Sequence, residues 1–325
     1  EEKRMKKFLE DLKRELQKRN LSSQEIDEIL RDHEEMIQSA LAQGLSEEEL
    51  KTRFGDPVSL ASELSEGTKR VEADQAKYDE YKLYKSFMLQ SDDLDIQTNL
   101  VSEDITYQVT DEDSISVYYK GKADIKDYHI SYEKGLFTLS APKKIGFLFM
   151  RSSSDDVDFI IEIPKQALIK DFSIKGVSSD VKVLNLDSKN FTLSSTSGDI
   201  TLNNVSIETA KWNTVSGDMH VEHAQMDVLT TSQVSGDLFI KHLEVKDHMT
   251  ISTVSGDIKI EDSSAQTCEL KSVSGDLVGT EFYPSRLGFK SVSGDVKIRN
   301  QSSEHKVDVF KSSSLSGEVS IKQAS

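Results

Sequence analysis

The chain is poor in the residues that staple or punctuate a small protein. Among 325 residues there is one cysteine, Cys268, one tryptophan, Trp212, and only four prolines. A single thiol excludes an intramolecular disulfide framework and a cysteine-based zinc site. So few prolines exclude long proline-rich linkers. No run approaches the roughly 20 apolar residues that a membrane helix needs; Ile145-Gly146-Phe147-Leu148-Phe149-Met150 is the most apolar short stretch. Positive charge is also scarce, with 40 Lys and Arg against 57 Asp and Glu and a net charge of −17. That argues against nucleic acid, whose phosphates demand a basic face, and disfavours direct binding to anionic lipid. No serine sits in a nucleophile elbow, and no catalytic constellation stands out. The charged start is no signal peptide, so the expected location is cytoplasmic, or peripheral to the membrane or cell envelope.

What the chain has in quantity is a repeat. Ser-Gly-Asp followed by an apolar residue recurs at Ser197, Ser216, Ser235, Ser255, Ser274 and Ser293, with degenerate copies at Ser178 and Ser316. The spacings from Ser to Ser are 19, 19, 19, 20, 19, 19 and 23 residues. A fixed period of this size marks a stacked-coil architecture. The fold class expected is therefore mainly β: a parallel β-helix or solenoid of 19–20-residue coils, preceded by a small all-α domain.

Four columns are expected to stack inward. They begin at Val181, at Val183, at Phe191 and at Thr196, and recur once per coil. The last column, just before each Ser, continues as Val215, Val234, Val254, Val273, Val292 and Leu315. Each coil then buries its apolar side only against its neighbours, so the ends need caps. The Gly-Asp corner has a local reason. Gly takes φ > 0 at a sharp turn, and Asp accepts a hydrogen bond from its own turn backbone. The Ser hydroxyls do the same or bond from coil to coil.

Upstream, residues 91–176 switch to period-two alternation, as in Ser114-Ile115-Ser116-Val117-Tyr118. Asp158 to Pro164 reads as a buried strand ended by proline, and Glu133-Lys134-Gly135 as a hairpin turn. This all-β region is expected to cap the solenoid, which itself runs over 177–325. Residues 67–90 read as a partly helical linker, with Tyr78, Tyr81 and Tyr84 at i, i+3 and i+6 packing on a neighbouring domain. Residues 1–66 read as short helices. Phe8, Leu9, Leu12 and Leu16 form one apolar stripe, and Ile26, Ile29, Leu30, His33, Ile37 and Leu41 another. Ser22-Ser23-Gln24-Glu25 and Ser46-Glu47-Glu48-Glu49 are capping boxes, and Asp56-Pro57 suits an N-cap and first helical position.

Two resemblances follow from these motifs. Met5-Lys6-Lys7-Phe8-Leu9-Glu10, Asp32-His33-Glu34-Glu35, and Gly44-Leu45-Ser46-Glu47-Glu48-Glu49 leading to Phe54-Gly55-Asp56-Pro57 resemble the HAAS domain. That is a helical module of Gram-positive envelope-associated and signalling proteins, whose partner genes often encode PadR-type regulators. The repeated Val-Ser-Gly-Asp tetrapeptide, with Ile161-Glu162-Ile163-Pro164 upstream, resembles the putative-adhesin family of β-strand-repeat proteins, a domain of unknown function. The resemblance implies a solenoid fold and an association with cell-envelope stress and antimicrobial-peptide sensing. It brings no catalytic residue and no cofactor.

Candidate chemistry centres on the aspartates. Asp199, Asp218, Asp237, Asp257, Asp276 and Asp295, preceded by Asp180, form an acidic column. Carboxylates stacked at ~5 Å repel by roughly 0.8 kcal/mol in a water-like dielectric. Either turn hydrogen bonds and water offset this, or the column binds cations or a cationic partner. His220 and His242 are placed to approach each other, without a first shell that would hold a metal. Cys268 reads as a small core hydrophobe. The expected function is non-enzymatic interaction or sensing. The helical domain contacts a regulator or envelope-stress component, and the acidic solenoid presents a surface to a protein or cationic peptide. The alternatives are an exported structural adhesin and a carbohydrate-active β-helix enzyme. The enzyme is disfavoured because no long loops are there to build a cleft.

Overall fold

The computed structural model describes residues 12–14, 16, 30, 80–142, 157–302 and 305–323. The chain divides into two compact units, Glu1–Tyr81 and Lys82–Ser325. In the first, residues 12–14, 16 and 30 are helical, and Leu12 and Leu16 are fully buried, as expected of one apolar stripe. The capping boxes, the Asp56-Pro57 stop and the run 145–150 lie outside the described residues.

The second unit opens with β1 (Lys82–Met88), β2 (Asp93–Asn99), β3 (Asp104–Thr110), β4 (Ser114–Gly121), β5 (His129–Glu133), β6 (Leu136–Ser140) and β7 (Val157–Pro164). Tyr84 therefore stands on a strand, edge-on to Tyr119 at 6.3 Å between ring centroids. Lys134 and Gly135 both take positive φ and close the β5–β6 hairpin, as their sequence suggested. Pro164 ends β7, where its missing N–H cannot continue a ladder. Strands β2 and β3 already belong to the stack. They pair in parallel with β8 (Leu168–Ser178) and β9 (Val181–Leu184) on one side, and with β6 and β7 on the other. Beyond β6 and β7 the pairing turns antiparallel, through β5, β4 and β1. That switch ends the coil-on-coil register, so this region is the cap that a solenoid edge requires.

The coils proper continue as β10 (Asp187–Ser197), β11 (Ile200–Thr214), β12 (Met219–Gln233), β13 (Leu238–Ser255), β14 (Ile258–Ser274), β15 (Leu277–Ser291), β16 (Val296–Asn300), β17 (Asp308–Ser314) and β18 (Val319–Gln323). All pair in parallel with their neighbouring coils, β17 and β18 on one side only. Ile200 sits on Met219, Met219 on Leu238, Leu238 on Ile258, and Ile258 on Leu277.

Three of the four expected columns point inward. The columns through Ile200, Leu202 and Ala210 are buried, apart from the last residues Val319, Ile321 and Phe310, which emerge at least in part. The fourth column is a correction. Val215, Val234, Val254, Val273 and Val292 face solvent, with Val215 48% exposed against 0% for Ala210. The two positions are five residues apart on one extended run, and an odd separation puts side chains on opposite faces. The inward neighbours of those valines are polar: Thr214, Gln233, Thr253, Ser272 and Ser291. Gln233, Thr253, Ser272 and Ser291 donate to corner carbonyls, as where Gln233 Nε2 donates to Gly217 O at 2.9 Å.

The inner columns also trade volumes. Gly279 replaces an aliphatic residue in its column, and the fully buried Phe282 fills the space beside it. Trp212 is fully buried and continues a line of edge-to-face rings through Phe191, Phe172 and Tyr107. That line ties the cap to the first coils, at about 0.5–1.5 kcal/mol per ring pair beyond simple burial.

Candidate functional site

The first corner is the Ser-Gly-Asp turn. Gly198, Gly217, Gly236 and Gly256 take φ between 104° and 128°. Conformation is only half of the requirement. A Cβ on Gly217 would lie 2.2 Å from the carbonyl oxygen of Gly198, and the same clash recurs from Gly198 through Gly317. The glycines stack so closely that no side chain fits between coils. The serine hydroxyls bond from coil to coil, as Ser216 Oγ does to Thr196 O at 3.3 Å.

The six candidate aspartates are brought together here in one straight row. Each carboxylate, however, accepts from the next coil rather than from its own turn. The backbone N–H of Asp218 donates to Asp199 Oδ1, that of Asp237 to Asp218, Asp257 to Asp237, Asp276 to Asp257 and Asp295 to Asp276, at 2.8–2.9 Å. The row starts upstream of the repeat, because Asp104 Oδ1 accepts from Asp180 and Asp180 Oδ1 from Asp199. It ends with Glu318 donating its N–H to Asp295. Burial pushes the Asp104 carboxyl up, against the lowering effect of that hydrogen bond. Lys297, at 2.8 Å, holds Asp295 down together with the Glu318 amide. A charged acceptor on every rung offsets the repulsion between rungs. The column is first a structural ladder.

A second corner was not anticipated. Asn185, Asn204, His223, His242, Asp262 and Glu281 all take φ between 46° and 57°, a left-handed conformation that non-glycine residues seldom adopt. Five of the six stand six residues after a corner glycine, and most are Asn, Asp or His, the types most tolerant of it. That polar column at fixed offset is the signal that sequence reading missed. Asn204 Nδ2 donates to Asn185 Oδ1 at 2.8 Å, and the His223 and His242 rings stack at 4.7 Å and 15°. His220 stacks instead on Phe239, at 4.9 Å and 7°. This corrects the expected pairing of His220 with His242: those two residues lie on different columns.

Along this corner runs a groove of about 1810 Å³. It extends from Thr110 and Pro164 at the cap, past Asn204, His223 and His242, to Tyr283 and Ser302. Its wall alternates with the buried Val205, Ala224 and Leu243, so its outer lining is polar: Ser206, Gln225, Glu244 and Ser264 stand one above another. The corner itself makes the cleft. This corrects the expectation that a cleft needs long loops. Lys246 pairs with Asp227 at 2.9 Å on the next column. Tyr283 is held by Glu281, to which its hydroxyl donates, and by the Ser302 amide at 3.0 Å.

Cys268 is buried in its inward column, and burial pushes its thiol up, so it is not a standing nucleophile. Among the described residues no cluster of three or more His, Cys, Asp or Glu is placed to hold a metal ion. Among them, too, no helix is long and apolar enough to cross a membrane.

Comparison with known proteins agrees with this architecture. No curated protein is significantly similar to the chain. A crystal structure of a putative lipid binding protein from Parabacteroides distasonis is 20% identical, with a TM-score of 0.52 over 75% of this chain and 97% of that one. A putative adhesin from Bacteroides fragilis is 16% identical, with a TM-score of 0.45 over 74% and 97%. The first likeness shows the fold alone. Neither protein bears an enzyme name. Residues 7–63 match the HAAS model. Residues 91–227 and 211–324 match the Toastrack DUF4097 model, so the chain belongs to the Toastrack DUF4097 family and carries an N-terminal HAAS domain.

Proposed function

We propose that the protein is a non-enzymatic, adhesin-like binding module whose ligand lies in the second-corner groove. The observation that carries this reading is the groove itself: a continuous channel of mixed polar and apolar lining down several coils, with side chains that the ladder does not need. The names of the structural neighbours, adhesin and lipid-binding protein, are compatible with a binding role. The helical domain contacts a protein partner, a regulator or an envelope-stress component, and the chain acts at the cell envelope. A photo-crosslinking residue placed at Gln225 in the full chain is expected to capture adducts that the same residue at Val254 does not. Identical adducts from both positions, or none from Gln225, would overturn the assignment. Cell fractionation then separates a surface role from a cytosolic one.

A second reading gives the acidic corner a cationic peptide, as in an antimicrobial-peptide response. It is favoured by the straight row of carboxylates, each using Oδ1 for the ladder. Replacing Asp218, Asp237 and Asp257 together by Asn keeps an acceptor oxygen on each rung and removes three charges. Loss of hexalysine binding in that variant supports the reading, and unchanged binding sinks it.

A further inference from the structure

We infer that the groove takes a neutral, extended oligosaccharide laid along the coil axis, with one sugar residue per coil; this rests on the groove being the binding surface. Four observations carry it.

The first is the repeat distance. Successive coils are in register at ~4.8 Å, so a ligand along the axis meets the same chemistry at each step. Six coils, from Asn185 to Glu281, give five steps and about 24 Å. One extended, β-linked pyranose residue occupies nearly this rise along its chain. A peptide does not: each of its residues advances only ~3.3 Å, so it drifts out of phase with the coils.

The second is the absence of a peptide template. Strands β11 to β14 are paired on both sides along the groove. Their backbone amides and carbonyls are spent on neighbouring coils, leaving no edge for a peptide main chain to join.

The third is the lining. A sugar hydroxyl both donates and accepts, so it needs both kinds of partner close together. Gln225 and Asn204 offer both, Ser206 and Ser264 offer both, and Glu244 accepts. The next column out carries both signs, as in the Lys246–Asp227 pair. An excess of carboxylates over lysines in the groove repels a polyanion, while the interspersed lysines interrupt any track for a polycation. Flat rings complete the set. The His223–His242 stack and the anchored Tyr283 present faces on which the C–H side of a sugar packs.

The fourth is a conformational contrast. At the first corner, glycine is obligatory because a Cβ would strike backbone. At the second, the chain carries side chains in the left-handed region, which costs roughly 1 kcal/mol each relative to glycine. Side chains kept at that cost, facing a channel, belong to the channel's work.

The test uses the full chain and three probes, cellohexaose, chitohexaose and mannohexaose, followed through the ring resonances of His223 and His242. The expected result is that one of these hexasaccharides shifts both rings. Its affinity should rise about tenfold or more from the matching disaccharide. It should fall about tenfold in Gln225→Ala/Glu244→Ala and hold in Val254→Thr. If no saccharide moves either ring at millimolar concentration, the inference is overturned. In that event a Gln225 crosslink to some other ligand would leave the groove as a binding surface, whereas no crosslink would remove both.

Discussion

At the residue scale the corner glycines and aspartates do different work with one motif. Gly217 is fixed by contact: a methyl group there meets the Gly198 carbonyl at 2.2 Å, and φ is +109°. Gly217→Ala is expected to cost about 3 kcal/mol or more, read from urea unfolding. Asp237 is fixed by acceptance. Asp237→Ala leaves the Asp257 amide without its 2.8 Å partner and is expected to cost about 1–3 kcal/mol. Asp237→Asn retains an acceptor oxygen and is expected to stay within about 0.5 kcal/mol. Equal losses in the two would mean that charge, not geometry, holds the ladder. Asp104 differs because burial raises its folded pKa. The fold therefore favours its protonated form; that contribution is present below the unfolded value of 3.8 and is lost as pH rises through the folded one. Asp104→Asn keeps the oxygen for the Asp180 amide and cannot ionise. Its stability relative to the parent should increase between pH 3 and pH 7 in parallel denaturation curves. A flat difference would contradict the shift.

At the element scale each coil is an extended run whose inward and outward residues alternate between its bends, as from Ala210 to Thr214. The column of exposed valines shows how far that alternation reaches. The tetrapeptide Val-Ser-Gly-Asp looks like a core residue leading into a turn. Yet counting five from the buried Leu229 puts Val234 outside, and its inward neighbour Gln233 ties the corner instead. The parity was present in the sequence, and hydrophobicity alone misled. Not every inward polar group is tied. Thr231 Oγ1 and Trp212 Nε1, in register on adjacent coils, are buried without a partner. Thr231→Val removes one such group at nearly constant volume. It is expected to stabilise by about 1 kcal/mol and raise the melting temperature. A lower melting temperature would show that the hydroxyl is satisfied by water in solution.

At the scale of the molecule, stability is a sum over coils and their interfaces. The interior coils repeat both corners in register. Deleting residues 218–236 joins Gly217 to Asp237 and sets Leu238 on Ile200. The shortened protein is expected to fold with the same β circular dichroism and a slightly smaller radius of gyration, its groove one coil shorter. Failure to fold would mean that the cap specifies the number of coils. The period, the three buried columns, the hairpin at Lys134-Gly135 and the β7 stop at Pro164 were legible in the sequence, since each depends on local backbone preference or strand parity. The groove was not. Its floor and lip come from residues some 19 apart, and it exists only because the second corner repeats in register.

The sequence by itself determined that this is a stacked coil with a glycine corner, because the repeat spacing and the conformational freedom of glycine leave few other solutions. Only the tertiary structure decided what the aspartates bond to and where a ligand has room to lie. A carboxylate's partner on the next coil and a channel down the stack are properties of the register between coils, which no single repeat contains.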